Sequence, residues 1–180
     1  MKILLLIIPV LVLGFILLVA ARPAFMKISR SAKIAAPPAM VFPLVNDFHQ
    51  WQAWSPWAKL DPAAANSYQG PDSGVGAAFA WSGNNKVGAG RMLIKEARPN
   101  ELIRIQLEFL RPMKVVNTAE FTFRSEGGGT LVSWTMTGKN NFAAKVFGLF
   151  VNCDKMVGGD FERGLAAMKS IAEKKSGVPA

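Results

Sequence analysis

His49 is the only histidine and Cys153 the only cysteine in the chain. A histidine titrates near neutrality and can serve as a general base, yet His49 sits between Phe48 and Gln50 with no motif around it. A cysteine nucleophile needs a partner that favours its thiolate. Cys153 precedes Asp154 on a helical stretch without a histidine motif, so it reads as a small packing residue. A lone cysteine also excludes an intramolecular disulfide and a cysteine-based zinc site. The carboxylates form no recognisable acid–base pair. Asp154 shares an apolar stripe with Val157 and Phe161; it either caps a helix or points into an interior. Asn117 is the one polar group in the apolar row of its strand. Facing a cavity, it would orient a ligand's carbonyl or hydroxyl; otherwise it pairs with a neighbour or water. No metal site, cofactor or catalytic residue is expected. Gly74-Val75-Gly76 and Gly88-Ala89-Gly90 complete neither a dinucleotide fingerprint nor a phosphate loop, and read as hairpin turns or bulges.

The segment from Trp51 to Pro62 contains Trp51, Trp54 and Trp57. They either pack one end of a core or cap a cavity. A nucleic-acid stacking platform is disfavoured, because it needs exposed rings along a basic groove.

Elements must hold these groups. Ile3 to Ala21 carries no charge and would be about 28 Å long as a helix, close to the hydrocarbon thickness of a bilayer. It is read as an uncleaved single-pass anchor over residues 1–22; a cleaved signal peptide is the alternative. Arg22, Lys27, Arg30 and Lys33 follow it, and the positive-inside rule then favours a cytoplasmic domain over residues 23–180 by a small margin, the short N-terminal tail leaving the opposite orientation open. The formal net charge is +9. Its basic residues are scattered, which suits anionic headgroups beside an anchor better than nucleic acid.

Ile28 and Ile34 suggest a first strand. Met40, Val41, Leu44 and Val45 repeat at helical spacing after Pro37-Pro38, with Pro43 bending or shortening that helix. The period then becomes two. Ala77, Phe79 and Trp81 share one face, as do Ile103, Ile105, Leu107 and Phe109. Met113 through Phe123 alternates likewise, and Val132, Trp134 and Met136 line a last strand. Short turns between them give an antiparallel meander. Phe147, Phe150, Asp154, Val157, Phe161, Leu165, Met168 and Ile171 recur at steps of three or four, which predicts one long amphipathic helix. Gly158-Gly159 costs helix stability and marks a kink or a close approach to the sheet.

A curved antiparallel sheet gripping one long helix buries both apolar faces and leaves a candidate cavity between them. The order of these elements resembles the helix-grip fold of the START-like, or SRPBCC, superfamily, which includes polyketide cyclase/dehydrase-like and lipid-transfer domains. The matching stretches are "FHQWQAWSPW", "GVGAAFAWSGN", "GAGRMLIKEARPNELIRIQLEF" and "MVGGDFERGLAAMKSIAE"; they look like the membrane-anchored bacterial members. The resemblance implies an α+β domain with a deep hydrophobic cavity and no universal catalytic residues. On that fold the expected lining is Trp54, Phe79, Trp81, Ile105, Leu107, Asn117, Phe121 and Trp134, with Asp154, Val157 and Phe161 from the helix.

The leading expectation is a membrane-anchored, non-catalytic protein that binds a lipid or other hydrophobic small molecule. The alternative is a cyclase/dehydratase-like enzyme on a polyketide-like substrate, with Asp154, Asn117 and His49 as candidates for steering protons. A third is a structural membrane protein acting through a partner. The oligomeric state is not encoded in any of these patterns.

Overall fold

The computed structural model describes residues 2–177, and side chains from residue 7 onward. The side chains of Ile3–Leu6 in the apolar N-terminal segment, and Val178-Pro179-Ala180, lie outside the described residues.

Seven strands form one antiparallel sheet: β1 (Phe25–Ile34), β2 (Ala65–Gln69), β3 (Ala78–Ser82), β4 (Ala89–Arg98), β5 (Leu102–Arg111), β6 (Val115–Glu126) and β7 (Gly129–Lys139). Their spatial order is β1-β7-β6-β5-β4-β3-β2. So β2 to β7 form a meander, and β1 joins it by pairing antiparallel with β7. The expected alternation sets the faces. On β6, Asn117, Ala119, Phe121 and Phe123 are buried, while Val116 and Arg124 are exposed. On β7, Val132, Trp134 and Met136 are buried. The register pairs Phe121 with Trp134 and Ile105 with Ala119, so the inward rows form one apolar concave surface.

The helices are α1 (Lys2–Ala20), α2 (Pro38–Asn46), α3 (Trp51–Trp54), α4 (Phe142–Phe150) and α5 (Cys153–Lys175). Pro38 opens α2, where its missing N–H costs nothing, and Pro43 lies inside it. A 3-10 turn over Phe48–Gln50 leads into α3. The α+β helix-grip architecture is therefore the one the residue patterns imply, with α5 laid across the concave face.

Three details differ from the sequence reading. The edge strand β2 has an exposed, polar sequence, Ala-Asn-Ser-Tyr-Gln, with no apolar row to betray it; backbone pairing with β3 alone defines it. The long C-terminal helix is broken. Val151 is extended, with φ −124° and ψ 126°, and Asn152 caps α5 by accepting a hydrogen bond from Lys155 N–H. Asp154 is therefore not the cap, and Phe147 and Phe150 leave the core stripe for the exposed helix α4. Finally, α1 is helical, as its apolar run requires, but no helix among the described residues is long and apolar enough to cross a membrane.

Both ends of α5 are fastened to the β1 edge. The Arg30 guanidinium bonds Asp154 and Glu162 at 2.9 and 2.7 Å. At the other end, Glu173 accepts the Ala35 N–H at 2.6 Å. Gly158 explains how close the first approach is: an added Cβ there would collide with the Arg30 guanidinium. Gly159 is free of such contact, its Cβ position being 3.7 Å from the nearest atom, Arg163 Nη1. The glycine pair thus marks a close approach at its first member.

Candidate functional site

The space between sheet and α5 has two parts. Its middle is packed with aromatic rings. Trp134 stacks on Phe161 from α5 with centroids 4.0 Å apart, and on Phe121 at 4.8 Å. Trp54 and Trp57 meet Trp134 edge-on at 5.5 and 5.8 Å. Edge and offset contacts of this kind are favoured by the ring quadrupole. The tryptophans of the Trp51–Trp57 stretch are held in place by their polar ends. Trp51 Nε1 donates to Val45 O at 3.0 Å, and Trp54 Nε1 to Leu44 O at 2.7 Å. Both carbonyls belong to the last turn of α2, where the helix leaves them unpaired. Trp51 and Trp54 are buried and Trp57 half-buried. The helix fits over this stack because residue 164 is glycine. A Cβ there would fall 2.9 Å from Trp134 Cζ3.

The second part is the end of the groove nearest α4. There the inward side chains are only partly covered: Trp81, Leu107, Phe109 and Val115 from the sheet, and Val157 from α5. Asn117 lies among them, buried at 5% exposure. Its Nδ2 points to Met136 Sδ at 3.8 Å, a weak acceptor. Its Oδ1 is buried without a hydrogen-bond partner, and Gly138 on β7 gives it room. Trp134 Nε1 is the other orphan on the concave face. Burying an amide oxygen unpaired costs about 1–3 kcal/mol, so such a group calls for an explanation.

The residues expected to line a cavity separate accordingly. Trp54, Phe79, Ile105, Phe121, Trp134 and Phe161 are buried, as part of the core. Trp81, Leu107 and Val157 are half-buried and pack against that core, Leu107 directly opposite Asn117 in the register. Asp154 sits at the rim, with its side chain 61% exposed, and its carboxyl is held below the ordinary range by the Arg30 hydrogen bond. That same pairing raises the Arg30 guanidinium. Held by a cation, Asp154 is a poor proton donor at neutral pH. Cys153 is partly buried, its Sγ 3.8 Å from Val151 O.

His49 lies elsewhere, at the β2 edge. Its Nδ1 is 2.8 Å from Asp47 Oδ1, and its ring stacks on Tyr68 at 4.1 Å. Asp47 Oδ1 also accepts the His49 N–H, closing the 3-10 turn. A shallow cleft of about 90 Å³ adjoins this pair. A wider, open cleft of about 310 Å³ lies between β2 and β5, lined by Ser67, Gln69, Arg91 and Glu108 from the outward rows. Neither cleft is between the sheet and α5. Among the described residues no group of His, Cys, Asp and Glu is placed to hold a metal ion. Phe147 and Phe150, expected on the long helix, belong to α4. Their signal was present as apolar periodicity, but it merged into that of α5.

Known structures share this architecture at low sequence identity. Protein CV1439 from Chromobacterium violaceum is 15% identical over 84% of this chain and 99% of its own, with a TM-score of 0.59. Protein Ms6760 from Mycobacterium smegmatis is 16% identical over 83% and 92%, with a TM-score of 0.56. The di-domain ARO/CYC StfQ from the steffimycin biosynthetic pathway is 14% identical, covering 86% of this chain and 53% of that one, with a TM-score of 0.64. Likenesses at this identity establish the fold. No curated protein sequence matches the chain. The sequence family described as polyketide cyclase / dehydrase and lipid transport matches residues 26–173. That span runs from the first strand to the last turns of α5, so the chain belongs to this family.

Proposed function

We propose that this protein binds a lipid or other hydrophobic small molecule at the α4 end of the groove between sheet and α5. The observation that carries this reading is the half-covered apolar wall around Asn117, whose carboxamide oxygen is buried and unpartnered. An apolar ligand would cover Trp81, Leu107 and Val157, and a hydroxyl or N–H on it would satisfy Asn117 Oδ1. The packed rings of Trp54, Phe79, Ile105, Phe121, Trp134 and Phe161 would then be the floor of the site, and Asp154 its rim. The family description, polyketide cyclase / dehydrase and lipid transport, supports a hydrophobic small molecule as the ligand. Binding of this kind gains roughly 25 cal/mol per Å² of apolar surface covered.

The ligand reading includes a membrane. On α1 the large apolar side chains from Ile7 to Leu18 are exposed, which would be costly in water. A bilayer would cover them, and α1 would then tether the domain beside an apolar ligand pool. Arg22, Lys27 and Lys33 follow α1 and favour the cytoplasmic face.

The test is solvent extraction of the purified full chain followed by mass spectrometry. A stoichiometric apolar compound, lost in a Trp81→Ser/Leu107→Ser variant that still folds, is the expected result. A chain that carries no such compound and takes up no apolar fluorescent probe overturns the reading. Conversion of a bound polyketide-like compound, in place of its simple release, would favour the cyclase/dehydratase alternative.

A further inference from the structure

Outside α1, the exposed large apolar side chains are concentrated at one end of the domain. The sheet register defines that end. Phe25 pairs with Lys139, Gly138 with Asn117, and Val115 with Phe109. The start of β1, the end of β7 and the β5–β6 turn therefore lie side by side, with α1 leading in and α4 leading out. Phe25, Leu110, Met113, Val116, Phe142, Phe147 and Phe150 are all exposed there, Phe150 at 79%. Elsewhere among the described residues outside α1, only Leu60, Tyr68, Val75 and Met156 are exposed. Isolated exposed apolar residues need no explanation, but a contiguous set does.

Helix α4 has no buried residue. At about 100° per residue, Phe142, Val146, Phe147, Leu149 and Phe150 fall on one arc, while Lys145, Ala144 and Gly148 take the other side. The apolar arc is the one left outward. The other side is tied to α1: Lys145 Nζ donates to Ala20 O at 3.2 Å. Asn140 reinforces the joint, its N–H donating to Ala24 O at 2.8 Å and its Nδ2 to Pro23 O at 3.0 Å. The orientation of α4 beside the exit of α1 is thus fixed by hydrogen bonds.

The unpaired charge at this end has one sign. Arg22, Lys27, Lys114, Lys139 and Lys145 lie on or beside these elements. Among the described residues none of them pairs with a carboxylate. Glu108, opposite Val116 in the register, and Asp154 at the start of α5 are already held by Arg91 and Arg30. An apolar arc rimmed by unpaired cations and continuous with an exposed apolar helix has the chemistry of an interfacial element on anionic lipid.

We infer that α4, with Phe25 and the β5–β6 turn, docks on an anionic lipid surface and sets the open end of the groove against it. The inference rests on the membrane part of the proposed function, but not on the identity of the ligand. It assigns α4 a role distinct from that of α1. The first helix tethers; the second fixes which way the domain faces, so that the half-covered wall around Asn117 opens towards lipid and not towards water.

The experiment uses the full chain with Cys153→Ser, labelled with bimane at Phe150→Cys, in phosphatidylcholine vesicles with and without phosphatidylglycerol. Brominated acyl chains report depth by quenching. A second label, at Val12→Cys on α1, reports insertion of the anchor independently. The expected result is loss of most bimane emission at position 150 on anionic vesicles. That loss should largely disappear in Lys114→Glu/Lys139→Glu, with position 12 still quenched and the circular dichroism unchanged. Quenching at position 12 without quenching at position 150 overturns the inference and leaves the tether standing. Quenching at neither position overturns both. Protection at position 150 that follows protein density and ignores lipid composition identifies a second copy of the chain as the occupant, and overturns the inference as well.

Discussion

Trp134 and Phe161 lie face to face, with ring centroids 4.0 Å apart and planes 8° from parallel. One ring comes from β7 and the other from α5, so this stack is where the sheet grips its helix. Truncating Phe161 to alanine removes a fully buried ring and leaves a hole between Trp134 and Trp57. Phe→Ala changes in cores cost about 3–5 kcal/mol. Urea unfolding of Phe161→Ala should show a loss of that size. A loss below about 1 kcal/mol would mean that the stack is not what holds α5.

Gly164 gives a sharper test, because two effects oppose each other there. Alanine gains up to about 1 kcal/mol of helix propensity over glycine. Against that, its Cβ would sit 2.9 Å from Trp134 Cζ3 and 3.2 Å from Pro56 Cδ, and overpacking costs about 1–3 kcal/mol. Gly164→Ala should therefore lower the thermal midpoint. Gly159→Ala, on the same helix with open space around it, should leave it unchanged or raise it. Equal behaviour of the two variants would refute the close approach.

The carboxylates that fasten α5 predict an acid response. Arg30 lowers the Asp154 carboxyl through its hydrogen bond, and Lys169 together with the Ala35 N–H lowers Glu173. A carboxylate lowered in the folded state contributes stability that is present above its unfolded value, about 4. That contribution is lost as pH falls through the folded value. Asp154→Asn and Glu173→Gln should each flatten the stability loss below about pH 4 without changing its course above neutrality. For Asp154, whose side chain is largely exposed, the effect should be small and should shrink in salt. Identical acid limbs in wild type and variants would count against these fastenings.

Asn117→Val separates a ligand group from a structural one. It removes a buried oxygen that has no partner, so the unliganded fold should keep or gain stability. If the oxygen serves the ligand, affinity for the compound retained on purification should fall by about fivefold, the value of one hydrogen bond of about 1 kcal/mol. Unchanged affinity, measured by displacement with a fluorescent apolar probe, would remove Asn117 from the site.

Much of this architecture was legible along the chain. The period-two rows around Ile105, Phe121 and Trp134 sort themselves onto one face because alternate side chains in a strand must point opposite ways. Pro38 announces the start of α2, and the apolar run up to Ala21 demands a helix. The family resemblance, carried by the order of these motifs, holds over residues 26–173. The edge strand β2 was not legible, since a polar strand paired on one side needs no apolar pattern. Nor was the break at Val151-Asn152, because Phe147 and Phe150 continue the spacing of Phe161 and Leu165 whether or not the helix is interrupted.

The sequence by itself determined which side chains are apolar, which alternate and which repeat, and hence the sheet, the helices and their order. Only the tertiary structure decided what those side chains meet. Asp154 turns to Arg30, and not to the groove, because β1 brings a guanidinium beside the first turn of α5. Trp51 and Trp54 become core because the last carbonyls of α2 lie within reach of their indole N–H groups. Asn117 is left with an unpartnered oxygen because its strand neighbour is Gly138, which offers it no side chain. Periodicity fixes the direction of a side chain relative to its own backbone; a partner from a distant segment is fixed only when the chain closes on itself.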